Sequence, residues 1–273
     1  MFVVQKKKIL LITYLSSNMK ILIAGYGFVG KAVANALKEE HFVVAIDPQY
    51  NEYKISEHTD ADGIIVCVGT PSTLMGDCSS EQILNVLEQI PVYMPVLIKS
   101  TVTPDLVNTI MEQYPDHSIC FNPEFLTASN ADADFLNQKH MILGGNDPES
   151  FWQELFQSVL KECKLYFYCT PTEASMVKYT VNSFLATKVA FFNQINELCE
   201  NNELDFEVIR RLVAHDIRIG PSHTLVPGPD GMLGFGGACF PKDTWAFTNF
   251  AKRAGTPLTI INSAVAYNDK IRR

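Results

Sequence analysis

Basic charge is what this chain of 273 residues is short of: 22 Lys and Arg stand against 30 Asp and Glu, a formal net charge of −8. Nucleic acid is thereby disfavoured as a main partner, because binding a phosphate backbone rests on clustered cations and no basic stripe is visible. A phosphorylated small molecule stays open, since backbone amides and a few cations are enough to hold one. Paired cysteines are also missing. Cys67, Cys78, Cys120, Cys163, Cys169, Cys199 and Cys239 are scattered and form no C-x-x-C. That pattern argues against a disulfide framework or a structural zinc site, so no metal is expected, and it fits a reducing cytoplasm. No apolar run is long enough to span a membrane. Lys6 to Lys8 followed by the short run Ile9 to Leu15 resembles a secretion signal only superficially, for no small-x-small cleavage site follows. Residues 1–18 read as a non-core extension, with Met19 as the natural start.

What is present is a chain 47% hydrophobic, enough for a sizeable core. From Lys20 onward, short apolar runs alternate with amphipathic stretches. KILIAG, FVVAID, GIIVCVG, PVLIKS, SICFN and HMILGG read as strands, and GKAVANALKEE, SEQILNVLEQI and DLVNTIMEQY as helices. Such alternation predicts an α/β domain with a doubly wound parallel sheet. The character changes near Thr170. Met176, Val177, Val181, Phe184, Leu185, Val189, Phe192 and Ile195 keep helical periodicity over 172–200. Further helices are expected at about 205–215, 241–255 and 257–271, with a Pro- and Gly-rich loop from Gly220 to Gly237. The expected organisation is 19–170 as a nucleotide-binding domain and 171–273 as an all-helical central domain. The long helices leave too much apolar surface for a two-helix layer, which predicts a homodimer through them.

Gly25-Tyr26-Gly27-Phe28-Val29-Gly30 matches GxGxxG directly after a predicted strand and at the opening of a predicted helix. Gly25 suits the tight turn, Gly27 the approach of backbone to a pyrophosphate, and Gly30 the close packing of helix on strand, while the helix N-terminus carries partial positive charge. Asp47 ends the next strand, about 20 residues on, where a carboxylate accepts the ribose hydroxyls and repels a 2′-phosphate. The pattern therefore predicts a Rossmann-type fold binding NAD rather than NADP.

The second chemical segment is Gly234-Phe235-Gly236-Gly237-Ala238-Cys239-Phe240-Pro241-Lys242-Asp243. Its glycines permit close approach of a ligand. Pro241 is a good first helical residue, which places Cys239 just before a helix N-terminus, a setting that lowers a thiol pKa. Asp243 lies one turn on, close enough to manage protons near the sulfur. Lys242 adds a charge suited to a phosphate. The other six cysteines read as small buried hydrophobes.

These motifs, with several others in the same order, resemble the UDP-glucose/GDP-mannose dehydrogenase family. The resemblance runs from Met19 to about Asn268. Val68-Gly69-Thr70-Pro71 is similar to the family's VPTP loop, with Gly69 replacing Pro. Ser100-Thr101-Val102 resembles the loop whose threonine holds a catalytic water, Asn122-Pro123-Glu124-Phe125-Leu126 matches NPEFL, and Met176-Val177-Lys178-Tyr179 with Asn182 resembles the family's helix. It implies an NAD-dependent oxidation of a nucleotide-sugar C6 alcohol, UDP-glucose to UDP-glucuronate, with Cys239 forming a thiohemiacetal and then a thioester that water hydrolyses. Lys178 and Asn182, spaced i,i+4, would present one face to an oxyanion. Glu124 and Asp243 would handle protons, with Thr101 orienting water between them. Thr70, Thr101, Glu124 and Lys242 join the turn and Asp47 as cofactor contacts. Phe125, Leu126, Lys178, Asn182, Arg218, Phe235, Gly236 and Gly237 are the implied sugar-nucleotide contacts, Arg218 reaching a neighbouring subunit's sugar.

The pattern breaks in three places. Thr127-Ala128-Ser129 follows NPEFL where the family has Arg-Glu-Gly, and His140 stands where it has Arg. The sequence given ends at Arg273, where family members continue into a domain that binds the nucleoside diphosphate; a naturally shortened enzyme and a separate chain supplying that domain as partner are both open readings. GDP-mannose as substrate, a single-step hydroxyacid dehydrogenase and a non-catalytic NAD-binding module remain alternatives.

Overall fold

The computed structural model describes residues 18–272; the expected N-terminal extension lies outside them except for Asn18. A seven-stranded sheet forms from β1 (Lys20–Ala24), β2 (Phe42–Ile46), β3 (Gly63–Val66), β4 (Val96–Ile98), β5 (Ile119–Phe121), β6 (His140–Gly145) and β7 (Leu165–Cys169), in the order β2-β1-β3-β4-β5-β6-β7. Because strand side chains alternate between faces, Leu22, Ile64, Val96 and Ile98 point to one side. There they pack with α2 (Glu81–Leu87), α3 (Pro104–Gln113) and the first turns of α6 (Pro171–Glu200). Ile21, Ile23, Ile65 and Leu97 point to the other side, against α1 (Phe28–Leu37), α4 (Ala131–Leu136) and α5 (Phe151–Val159). This is a Rossmann-type doubly wound sheet, and its wind reverses between β1 and β3, where such sheets bind ligands beyond the carboxyl ends of the strands.

The sheet is not wholly parallel, as the sequence led us to expect. β5 and β6 pair antiparallel through Cys120–Gly145 and Phe121–Gly144. The connection holds a short 3-10 turn and the six-residue α4 and makes no crossover, so β6 starts from the end of the sheet at which β5 stops. β7 was not anticipated either. Leu165, Phe167 and Tyr168 are exposed on this edge strand, so no buried face stamps an alternation on its sequence.

After Cys169 the described chain is helical: α6, α7 (Phe206–Ala214), α8 (Phe240–Arg253) and α9 (Thr259–Ile271). Thr170 caps α6 by accepting from Glu173 N–H at 3.2 Å while Glu173 accepts from Thr170 N–H at 2.8 Å, with Pro171 opening the helix. The buried side of α6 is largely small and polar, with Tyr179 and Phe192 buried beside them. Its buried residues include Ala174, Ser175, Lys178, Asn182, Ser183 and Ala186, whereas Met176, Val177, Phe184, Phe191 and Leu198 are exposed. A small third core of Ala186, Ala190, Phe235 and Ala264 joins α6, α9 and the loop before α8.

Candidate active site

β1 runs into a turn that only glycine accommodates at two points. Gly25 adopts φ +92°, and a Cβ there would lie 2.7 Å from the carbonyl carbon of Cys67 on the neighbouring strand end. A Cβ on Gly30 would overlap the carbonyl oxygen of Gly25, so this glycine sets how closely α1 sits on the turn. Gly27, the N-cap of α1, has nothing within 4 Å of its Cβ position. It faces a cleft of about 870 Å³. The first turn of α1 carries no acidic side chain, so its positive end is left free for an anion. Asp47 ties the turn to the next loop, its carboxylate accepting from Tyr26 N–H at 2.7 Å and Gln49 N–H at 2.8 Å. A carboxylate has about four acceptor positions, so capacity remains for two ribose hydroxyls. An open backbone cradle, an uncompensated helix N-terminus and an acidic acceptor beside it fit a dinucleotide. Gly25, Gly27, Phe28, Val29 and Asp47 line the cleft. Gly30 lies behind the turn, and the Tyr26 ring turns edge-on to Tyr50 with centroids 5.5 Å apart.

The far wall brings in the segments after β3, β4 and β5 and the start of α8. Thr70, Thr101, Glu124, Cys239 and Lys242 all line this cleft. Ser100 Oγ donates to Val68 carbonyl at 2.8 Å, which fastens the β3 and β4 loops together. Glu124 is buried; its Oε2 accepts from Leu126 N–H at 2.7 Å and its Oε1 lies 3.0 Å from Lys178 Nζ, which also donates to the Glu124 carbonyl. Asn182 Nδ2 donates to Asp243 Oδ2 at 2.6 Å, and Lys242 Nζ lies 2.7 Å from the other oxygen. Lys178 and Asn182, expected to present one face to an oxyanion, are both engaged within the chain. Each already serves a buried carboxylate, because neither carboxylate can stay charged away from water without donors. One Lys178 N–H and one Asn182 N–H remain uncommitted.

Cys239 is the N-cap of α8, one place earlier than the sequence suggested, since Phe240 is the first helical residue and Pro241 the second. Its thiol does not have the depressed pKa expected of that position. Burial pushes it up, the Asp243 carboxylate pushes the same way, and Lys178 and Lys242 only partly oppose them. The resting sulfur is a protonated thiol, set among two carboxylates and two cations.

Other expected contacts are placed elsewhere. Phe125 is exposed, with Lys178 Nζ 5.3 Å from its ring centroid. Leu126 packs against the core on the α1 side, and Phe235 is buried in the third core. Arg218 is 86% exposed and pairs with Asp216 at 2.6 Å, outside the cleft. Lys99 was missed. Buried at the end of β4, it lines the cleft floor, donates to Asn122 Oδ1 at 2.6 Å, and has its pKa lowered to about 8 by burial. The signal available was one lysine closing the buried run Val96-Leu97-Ile98.

Comparison with known proteins agrees with this geometry. Residues 51–164 match the NAD binding domain of the UDP-glucose/GDP-mannose dehydrogenase family and residues 172–270 its central domain. The chain is 30% identical over 223 residues to a UDP-glucose 6-dehydrogenase of Rickettsia prowazekii (strain Madrid E), covering 78% of this chain and 50% of that protein. It is 32% identical over 221 residues to the UDP-glucose 6-dehydrogenase YwqF of Bacillus subtilis (strain 168), covering 77% and 49%. It therefore spans about half the length of the curated relatives it matches. Among solved structures, a UDP-glucose dehydrogenase from the hyperthermophilic archaeon Pyrobaculum islandicum superposes with a TM-score of 0.80 at 25% identity, over 95% of this chain and 70% of that one. The chain belongs to the UDP-glucose/GDP-mannose dehydrogenase family, and its cofactor is NAD.

Proposed function

We propose that this chain carries the oxidation half of a nucleotide-sugar 6-dehydrogenase, taking the C6 alcohol of UDP-glucose to the carboxylate through Cys239. One observation carries the reading: the dinucleotide turn and Cys239 open onto the same cleft, which Thr101, Glu124 and Lys242 also line. Bound NAD supplies a hydride acceptor there. The chain's own part is to hold C6 beside Sγ and to manage its protons. Attack by Cys239 on a carbonyl carbon requires the thiol proton to leave, and Asp243 and Glu124 are the carboxylates whose charge acts on that sulfur. The remaining N–H groups of Lys178 and Asn182 suit the negative oxygen formed in the attack, and Thr101 suits a water for the hydrolysis that releases the acid.

The test mixes the purified chain with NAD and UDP-glucose or GDP-mannose and counts NADH per sugar. Two per UDP-glucose supports the reading. One per sugar, or acid production that persists in Cys239→Ser, overturns it. GDP-mannose turnover alone would reassign the substrate.

The reading includes a homodimer and a reducing cytoplasm. Val177, Phe184, Phe191 and Leu198 recur at a seven-residue spacing along the exposed side of α6, the seam pattern of paired helices. Seven free cysteines suit a reducing compartment, and no helix of the described residues is long and apolar enough to cross a membrane. Light scattering at micromolar concentration should give twice the chain mass, and Phe191→Glu should halve it. A parent chain that scatters as a monomer refutes the dimer.

A further inference from the structure

The segment before Cys239 is held by its backbone. Gly234 N–H donates to Asn193 Oδ1 on α6 at 3.0 Å. Phe235 N–H donates to Asn268 Oδ1 on α9 at 2.7 Å, and Asn268 Nδ2 donates back to the Phe235 carbonyl at 3.1 Å. One buried carboxamide thus closes two bonds on a single loop residue, as a neighbouring strand would. One turn further along, Arg272 donates to the carbonyls of Leu233 at 3.1 Å and Gly234 at 3.2 Å and pairs with Asp230. These side chains lie so close that a Cβ on Gly234 would overlap the Asn268 carboxamide, and one on Gly236 the Arg272 guanidinium. The sequence had suggested that the glycines admit a ligand. Two of them admit side chains of α9 and the residue that follows it; Gly237 alone of the three has nothing within 4 Å of its Cβ position.

We propose that Asn193, Asn268 and Arg272 are positioning residues that fix residues 233–236 and so set how deeply the Cys239 thiol sits at the head of α8. Between α7 and α8 the chain has no helix or strand of its own, so these bonds replace the ladder that would otherwise order it. They draw on two helices, α6 and α9. Because α6 also carries Lys178 and Asn182, the clamp references the thiol to the same helix as the groups around it. The two asparagines are buried, where an unmatched carboxamide is costly. The clamp therefore holds one geometry rather than several. Keeping the thiol sunk also keeps it protonated, in line with the direction in which burial moves it.

The catalytic consequence rests on Cys239 being the reacting thiol; the clamp itself is read without turnover. The full chain is treated with iodoacetamide between about pH 7 and pH 10, the range in which thiols titrate. Labelling of each cysteine is then followed by peptide mass spectrometry in the parent, Asn268→Ala, Asn268→Asp and Arg272→Ala. Releasing the loop exposes the sulfur. Labelling of Cys239 in Asn268→Ala should rise about threefold or more, with its pH midpoint falling, as a half-unit drop in thiol pKa requires. Cys169, half-buried on β7, should keep its rate. Asn268→Asp keeps the bond from Phe235 N–H but turns a carboxylate on the Phe235 carbonyl, so it should move the same way, and Arg272→Ala should follow with a smaller change. Unchanged Cys239 kinetics in these variants, or equal acceleration at Cys169, overturns the proposal. If Asn268→Ala does not fold, Arg272→Ala, whose side chain is partly exposed, decides alone. A parent chain that oxidises no nucleotide sugar would overturn the proposed function while leaving the labelling result to judge the clamp.

Discussion

Replacing Lys178 by Met removes one half of an ion pair that water scarcely reaches. Nζ and Glu124 Oε1 are 3.0 Å apart, and both side chains are 6% exposed. Methionine keeps most of the volume but leaves the carboxylate with one short donor, Leu126 N–H at 2.7 Å, and no contacting cation. The lost bond to the Glu124 carbonyl adds about 1 kcal/mol to the roughly 3–5 kcal/mol expected for stranding one partner of a buried pair. At about 2–4 °C per kcal/mol for a domain of this order, the melting temperature should fall by roughly 15 °C. Thermal and urea melts of the ligand-free chain at neutral pH measure this. The same melts on Glu124→Gln and on the double variant complete the cycle. With the carboxylate gone, the double variant should recover part of the loss, a coupling of about 2–3 kcal/mol. A loss below about 1 kcal/mol in Lys178→Met, or a double variant less stable than Lys178→Met, refutes the reasoning. Either result would mean that Glu124 finds solvent or another cation, of which Lys99, on which the Glu124 charge acts, is a candidate.

Gly27→Ala and Gly30→Ala should separate binding from folding. The first places a methyl in the open cleft and should weaken NADH binding, read by nucleotide fluorescence, with little change in melting; the second drives a methyl into the Gly25 carbonyl and should cost about 1–3 kcal/mol of stability as well. Asp47→Asn should raise NADPH affinity relative to NADH by about tenfold, 1.4 kcal/mol, in the same titration; an unchanged ratio removes Asp47 from cofactor choice. Lys99 has its pKa lowered to about 8 from 10.5 by burial, so above pH 8 the unfolded chain holds the proton that the folded chain has lost, and this residue makes stability rise with pH up to about 10.5. Cys67, pushed up to about 12 by burial, works in the opposite direction, so the readout is the stability of the parent minus that of Lys99→Met, which should rise as pH goes from 8 to 10; a constant difference refutes it.

Sheet and turn were legible because each leaves a local mark. Buried strands such as Ile21-Leu22-Ile23 are apolar on both faces, and the Gly25–Gly30 spacing answers steric demands made within a few residues. β7 left no such mark, since its apolar side chains stay exposed at the sheet edge. Residue types at the site were legible too, but their partners were not. That Asn182 serves Asp243 and Lys178 serves Glu124 depends on helices and loops far apart in sequence. The thiol was misjudged for a related reason. A helix N-terminus is a local feature that lowers a thiol pKa, whereas burial and the Asp243 carboxylate are features of packing, and here they win. Asn193, Asn268 and Arg272 were passed over because they act on backbone, which no side-chain motif reports.

Helix α6 shows how one constraint produces both the polarity of the site and the apolar surface behind it. Its buried side must lie close against the sheet, close enough that Ala174 meets Gly144 of β6 where any Cβ would crowd it, so small residues are needed there. The same side carries Lys178 and Asn182, so polar residues are present as well, each matched by a carboxylate from another element. Burying them gains little stability; a hydrophobic replacement of both pairs would be neutral or favourable by about 1–4 kcal/mol. The apolar residues that a helix of 30 residues ordinarily turns inward are thus displaced to the opposite side, where Val177, Phe184, Phe191 and Leu198 face outward. That surface is what an inward-facing reaction site leaves over. In the proposed homodimer a second copy of α6, bearing the same seven-residue spacing, would cover that surface.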